Sequence, residues 1–249
     1  MDNYSVEYYK HYLGGAVSGM FGIVLSHPID TVKTHFQMGT WKQFKPSIAN
    51  LYKGIKSPLL GVGFEKALVF GTYNYCQQGM GYNIPVSGAI AGLTAAMVVT
   101  PYERWKILRQ TSQTFGMGDI TPKFLFKGLT ATFTREVPGF AIYFTVYEGL
   151  KGKTQELYAR RINYIESFVY GGLSGITAWI FIYPQDRIKT IMQSSVSRGV
   201  GGIGMRDIIG DIYSKGGLKH FYSGFSWAVM RAMLLHSGTF CMMEILTNY

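Results

Sequence analysis

Six stretches of low charge run along the chain, at about 11–33, 59–78, 85–106, 131–150, 166–189 and 225–246. Each is close to the roughly 20 residues that a helix needs to cross a bilayer. None is uniformly apolar: Glu65, Lys66, Arg135, Glu136, Arg231 and His236 all fall inside them. A charge at membrane depth is costly unless it faces a bundle interior or a water-filled cavity. The pattern therefore predicts an all-α membrane protein, with six transmembrane helices arranged around a wet centre.

A second pattern is superimposed on the first. The stretch SHPIDTVKTHFQ (26–37) closes the first apolar run, and its arrangement returns in TPYERWKILRQ (100–110) and YPQDRIKTIMQ (183–193). Each copy has a proline (Pro28, Pro101, Pro184), an acid two residues on (Asp30, Glu103, Asp186), a lysine at plus five (Lys33, Lys106, Lys189) and a glutamine at plus nine (Gln37, Gln110, Gln193). Proline removes a backbone donor and bends a helix, and the acid and lysine, three apart, share one helical face. A single copy would read as a helix end with a surface ion pair. Three copies, their prolines 73 and 83 residues apart, make the chain three versions of one unit, at about 8–82, 83–160 and 161–249, within a single domain of 1–249. Two glycines stand thirteen and nine residues before each proline: Gly15 and Gly19, Gly88 and Gly92, Gly171 and Gly175. Small residues four apart let helices approach closely in lipid.

Composition agrees with the membrane reading. Only 15% of the 249 residues are charged and 47% are hydrophobic, against about 25% charged in an ordinary soluble domain. The net charge of +10 comes with no nucleic-acid recognition module. Met38 to Ser57 holds four lysines and no acid, so the positive-inside tendency places the segments after the three proline motifs on one side. Cys76 and Cys241 have no metal-ligand spacing. The amino-terminal MDNYSVEYYKHY resembles neither a signal peptide nor a cleaved transit peptide, so any targeting information is expected to be internal. No nucleophile and base pair, metal cluster or phosphate loop points to an enzyme, and no cofactor is implied.

The threefold proline, acid and lysine motif resembles that of the mitochondrial carrier family, over essentially the whole chain. The aromatic, basic, glycine triplets that follow the motif in that family are also present as Tyr52, Lys53, Gly54 and Phe126, Lys127, Gly128; the third copy reads Tyr222, Ser223, Gly224. His35, Leu108 and Ile191 occupy the position of a second basic residue usual in the family. The resemblance implies three two-helix repeats with pseudo-threefold symmetry around a central cavity. It also implies a monomer in the mitochondrial inner membrane with both termini toward the intermembrane space, and cardiolipin bound at the turns of Gly54, Gly128 and Gly224. By the same resemblance a matrix gate pairs Asp30 with Lys106, Glu103 with Lys189 and Asp186 with Lys33, the three glutamines bracing the pairs. Tyr147, Glu148 and Lys151 match the cytoplasmic gate motif. Tyr73, Asn74, Gln77 and Met243, Glu244, Thr247 depart from it, so at most one good ion pair is expected there and a weak gate, with the matrix-open state disfavoured.

Thirteen residues before Asn74, Glu148 and Glu244 stand Gly61, Arg135 and Arg231. Arginine followed by an acid, here Arg135 and Glu136, goes in this family with amino-acid substrates, and Glu65 and the RAMLLHSGTF stretch (231–240) resemble ornithine-type carriers. Two acids can hold a cationic amino or guanidino group, and two arginines a carboxylate by bidentate hydrogen bonds. Mutual neutralisation of Arg135 and Glu136 is the competing reading of that pair. Lys66, next to Glu65, is turned about 100° from it on a helix and need not share the cavity. The expected function is transport by alternating access of a cationic amino acid or related zwitterion such as ornithine, arginine, lysine or carnitine. The alternatives are a nucleotide or phosphate carrier using Arg104, Arg187 and Lys66, and a non-transporting scaffold of the same fold.

Overall fold

The computed structural model describes residues 3–37, 47–52, 54–110, 126, 128–195, 205–222 and 224–247; among these, side chains are described for 11–32, 47–52, 54–56, 58–101, 126, 128–189, 205–222 and 224–247. The described residues are helical, with no strand among them. The elements are α1 (Asn3–Gln37), α2 (Ile48–Leu51), α3 (Lys56–Asn74), α4 (Ile84–Gln110), α5 (Leu129–Tyr158), α6 (Tyr164–Ser195), α7 (Met205–Phe221) and α8 (Phe225–Thr247). A π-helical turn, Tyr75–Gly79, prolongs α3. The six apolar stretches each fall on one long helix. Four of the helices are long and apolar enough to cross a membrane by composition alone, over His11–Val32, Ile84–Pro101, Tyr164–Lys189 and Phe225–Thr247. The remaining two, α3 and α5, contain Glu65 and Lys66, and Arg135 and Glu136.

The long helices form three hairpins, α1 with α3, α4 with α5 and α6 with α8, and the ring closes through α3 on α4, α5 on α6 and α1 on α8. The glycine pairs seat each first helix on its partner. A Cβ on Gly15 would stand 2.5 Å from the Lys66 carbonyl oxygen, one on Gly88 2.7 Å from that of Phe140, and one on Gly171 2.7 Å from that of His236. These three contacts are related by the repeat, since residues 66, 140 and 236 each lie eight positions before Asn74, Glu148 and Glu244. The second glycines, Gly19, Gly92 and Gly175, are equally tight against Lys66, the Glu136 carbonyl and the His236 ring. Backbone approaches backbone here, as the spacing predicts.

The prolines lie inside α1, α4 and α6. Having no amide hydrogen, each leaves the carbonyl four residues earlier without its helical donor. In two repeats a tyrosine replaces that donor: Tyr52 donates to Val24 O at 3.1 Å and Tyr222 to Ile180 O at 3.0 Å. The middle repeat has Phe126, which cannot donate. Two residues after each aromatic comes Gly54, Gly128 or Gly224, with φ of 86°, 93° and 84°. Side chains other than glycine's rarely adopt this left-handed region, so the glycine lets the chain turn abruptly into the second helix of each hairpin.

Local capping fixes the other starts. Asn163 and Glu166 exchange hydrogen bonds at 2.8 Å at the beginning of α6, a reciprocal capping box. Asn83 Oδ1 accepts from the Val86 amide at the beginning of α4. Helix α7 is broken at Gly216 and Gly217 and packs Ile208, Ile212 and Phe221 against Ile188 of α6.

Candidate functional site

Inside the ring lies a cavity of about 470 Å³. All four sequence-predicted binding residues, Glu65, Arg135, Glu136 and Arg231, line it, together with Gly61, Asp30 and Asp186. The sequence counting that set Gly61, Arg135 and Arg231 on one level thus brings them to one chamber. Arg135 is shared between Glu136, one residue on, and Asp186, whose Oδ1 receives Nη1 at 2.8 Å. Arg231 Nε donates to Asp30, 2.7 Å from Oδ1 and 2.9 Å from Oδ2. Mutual neutralisation of Arg135 and Glu136 is therefore present, but it does not take Arg135 out of the chamber.

The proline-motif acids Asp30 and Asp186 thus reach inward to arginines of the second helices. Their expected partners, Lys106 and Lys33, have side chains outside the described residues, as do Glu103, Gln37, Gln110 and Gln193. Lys189 is buried, 3% exposed.

Lys66, which its angle to Glu65 left free to lie in or out of the cavity, does line it. Only 3% exposed, its ammonium lies 4.6 Å from the Phe140 ring centroid, 5.4 Å from that of Tyr143 and 3.8 Å from Glu65 Oε1. The signal for it was in the repeat: Lys66 occupies the level of Phe140 and His236, against the first helix's glycine pair. The Tyr143 hydroxyl and His236 Nδ1, also in this wall, have no hydrogen-bond partner among the described residues.

Three phenylalanines pack together one helical turn beyond Lys66, Phe140 and His236 and line a neighbouring cavity. Phe70, Phe144 and Phe240 meet edge to face, with centroids 5.5, 5.8 and 6.1 Å apart and interplanar angles of 86° to 89°. Each stands four residues before Asn74, Glu148 or Glu244, so the triad follows the repeat; the sequence reading passed over it. Tyr73 stacks on Phe144 at 3.8 Å and Tyr147 on Phe240 at 3.5 Å. Beyond the triad is a second cavity of about 450 Å³, lined by Tyr73, Asn74, Glu148, Lys151 and Glu244 among others.

In that outer chamber Lys151 Nζ bonds Glu244 at 3.0 and 3.2 Å, and Tyr147 donates to Glu244 Oε2 at 3.3 Å. One ion pair was expected there, and this pair joins two repeats. Stacked rings stand beside this pair, between the two cavities.

The family profile described as mitochondrial carrier protein matches residues 4–84, 81–157 and 160–249. The chain belongs to the mitochondrial carrier family. Accordingly the carrier is a solute transporter of a mitochondrial membrane. It is 28% identical over 273 residues to the human mitochondrial basic amino acids transporter, covering 96% of the carrier and 89% of that relative. Similarity extends to the mitochondrial carnitine carrier of Saccharomyces cerevisiae, 28% identical with 96% and 87% covered, and to the mitochondrial glycine transporter YMC1 of the same yeast, 27% identical with 95% and 90% covered.

Proposed function

We propose that the carrier exchanges or imports a cationic amino acid or related zwitterion, such as ornithine, arginine, lysine or a carnitine-like solute, across the mitochondrial inner membrane by alternating access. The observation that carries this reading is the charge of the cavity wall. Among the described residues that line it, four acids (Asp30, Glu65, Glu136, Asp186) face three bases (Lys66, Arg135, Arg231). That leaves one negative charge for a solute to balance. Glu65 and Glu136 are assigned the cationic end of the solute, and Arg135 and Arg231 its carboxylate. The names of the human and yeast relatives support a charged amino-acid-like substrate.

The same arrangement suggests how binding moves the gates. A solute carboxylate that takes Arg135 and Arg231 competes with Asp186 and Asp30, and the freed acids turn to the lysines of the proline motifs. Those pairs, Asp30 with Lys106, Glu103 with Lys189 and Asp186 with Lys33, braced by Gln37, Gln110 and Gln193, then form the matrix gate, with Pro28, Pro101 and Pro184 as the bends that aim them. An exposed ion pair contributes only about 0.2–1 kcal/mol, so a solute with modest differential affinity shifts the balance. Tyr147, Glu148, Lys151 and Glu244, above the phenylalanine triad, form the cytoplasmic gate. Both termini face the intermembrane space. The carrier acts as a monomer, without catalysis, and cardiolipin phosphates bind the helix starts at Gly54, Gly128 and Gly224, where free backbone amides favour anions. A nucleotide carrier is less well supported, since Arg187 bonds His220 and lies outside the cavity lining.

Reconstituted into liposomes, the carrier is expected to take up labelled arginine, lysine or ornithine, and Glu136→Gln to reduce that uptake at least tenfold. Uptake of ATP that outcompetes arginine, or cationic uptake unaffected by Glu136→Gln, overturns the assignment.

A further inference from the structure

We infer that the Lys66 ammonium is a built-in countercation, fixed in the cavity wall so that the site accepts solutes with one net positive charge and disfavours those with two. The inference rests on the cationic-solute reading above.

Lys66 occupies a seat made for it. A Cβ on Gly19 would fall 2.6 Å from Lys66 Cγ and 2.7 Å from its Cβ, so the glycine leaves room for the stem. Phe140 and Tyr143, 6% and 1% exposed, present their rings to the ammonium within cation–π range, a contact that gains strength when desolvated. Glu65 stands 3.8 Å away on the same helix. The arginines differ from it in one respect. Arg135 and Arg231 are held by Asp186 and Asp30 of first helices, partners that alternate with conformation. The partners of the Lys66 ammonium, Glu65, Phe140 and Tyr143, lie on α3 itself and α5, both second helices, while its stem rests on Gly19 of α1. A cation this deep in a membrane protein marks a function by default. Removing it changes the charge of the described lining from one negative to two.

The test compares arginine, of net charge +1, with agmatine, which keeps the guanidinium, lacks the carboxylate and has net charge +2. In liposomes, Lys66→Met and the polar neutral Lys66→Gln are each expected to raise the agmatine-to-arginine ratio of initial uptake at least tenfold over the unaltered carrier. Lys66→Arg, which keeps the charge, is expected to hold the ratio within twofold. An unchanged ratio in both neutral variants overturns the inference, as does a shift in Lys66→Arg as large as that in Lys66→Met, which would assign Lys66 to packing. Should neither neutral variant fold, thermal protection of the purified unaltered carrier decides: greater protection by arginine, retained in Lys66→Arg, supports the inference, and equal protection by agmatine overturns it. Failure of the underlying reading looks different, since the unaltered carrier itself then takes up no arginine, lysine or ornithine.

Discussion

Changing Tyr52 to phenylalanine removes one hydroxyl and leaves the ring in place. That hydroxyl is the donor to Val24 O at 3.1 Å, the carbonyl that Pro28 cannot serve. Losing one such hydrogen bond costs about 0.5–1.5 kcal/mol. For a protein of this length each kilocalorie corresponds to roughly 2–4 °C in Tm. Tyr52→Phe is therefore expected to lower Tm by several degrees in detergent, followed with a thiol-reactive dye that reports exposure of Cys76, which is buried in the folded carrier, and of Cys241. Tyr222→Phe should cost a similar amount through Ile180 O, and the two losses should add, because the sites are in different repeats. The decisive comparison uses Pro28→Ala. Restoring the amide at 28 gives Val24 O its helical donor again, and Tyr52→Phe in that background should cost less than about 0.5 kcal/mol. An equal loss in both backgrounds would refute the reasoning.

Gly92→Ala places a methyl 2.5 Å from the Glu136 carbonyl oxygen; forcing α4 from α5 should cost about 1–3 kcal/mol and lower arginine uptake. Gly149→Ala, with nothing within 4 Å of the new atom, should be neutral or stabilising by up to about 1 kcal/mol; a loss as large as at Gly92 would show that position is irrelevant. Lys151→Met removes the bonds to Glu244, which is 6% exposed, and hydrogen bonds to charged groups contribute about 1.5–3 kcal/mol; thermal unfolding should register a drop of that order, and an unchanged Tm would mean the outer pair does not help hold this end shut.

Much of this architecture was legible because repetition multiplies weak signals. One proline, acid and lysine cluster is uninformative, whereas three in register predict helices, symmetry and a common end. The level of Arg135 and Arg231 followed from counting along the repeat, and the same count would have found the phenylalanines at 70, 144 and 240. The place of Lys66 was left open because an angular argument on an isolated helix ignores what packs beside it: Gly19 opens a slot that lets the stem lie in the wall. The partners of Asp30 and Asp186 were not legible for another reason. A motif states which charges can meet, while the conformation decides which do, and here both acids are drawn to arginines of the second helices.

With four carboxylates against three cations on its described wall, the empty chamber is a monoanion, and a monocationic guest makes it neutral. A transmembrane voltage does work only on net charge, about 2.3 kcal/mol per 100 mV for one elementary charge carried through the whole field. Under the proposed cationic-solute reading, the loaded chamber therefore reorients with little electrical bias, and the unoccupied one bears it.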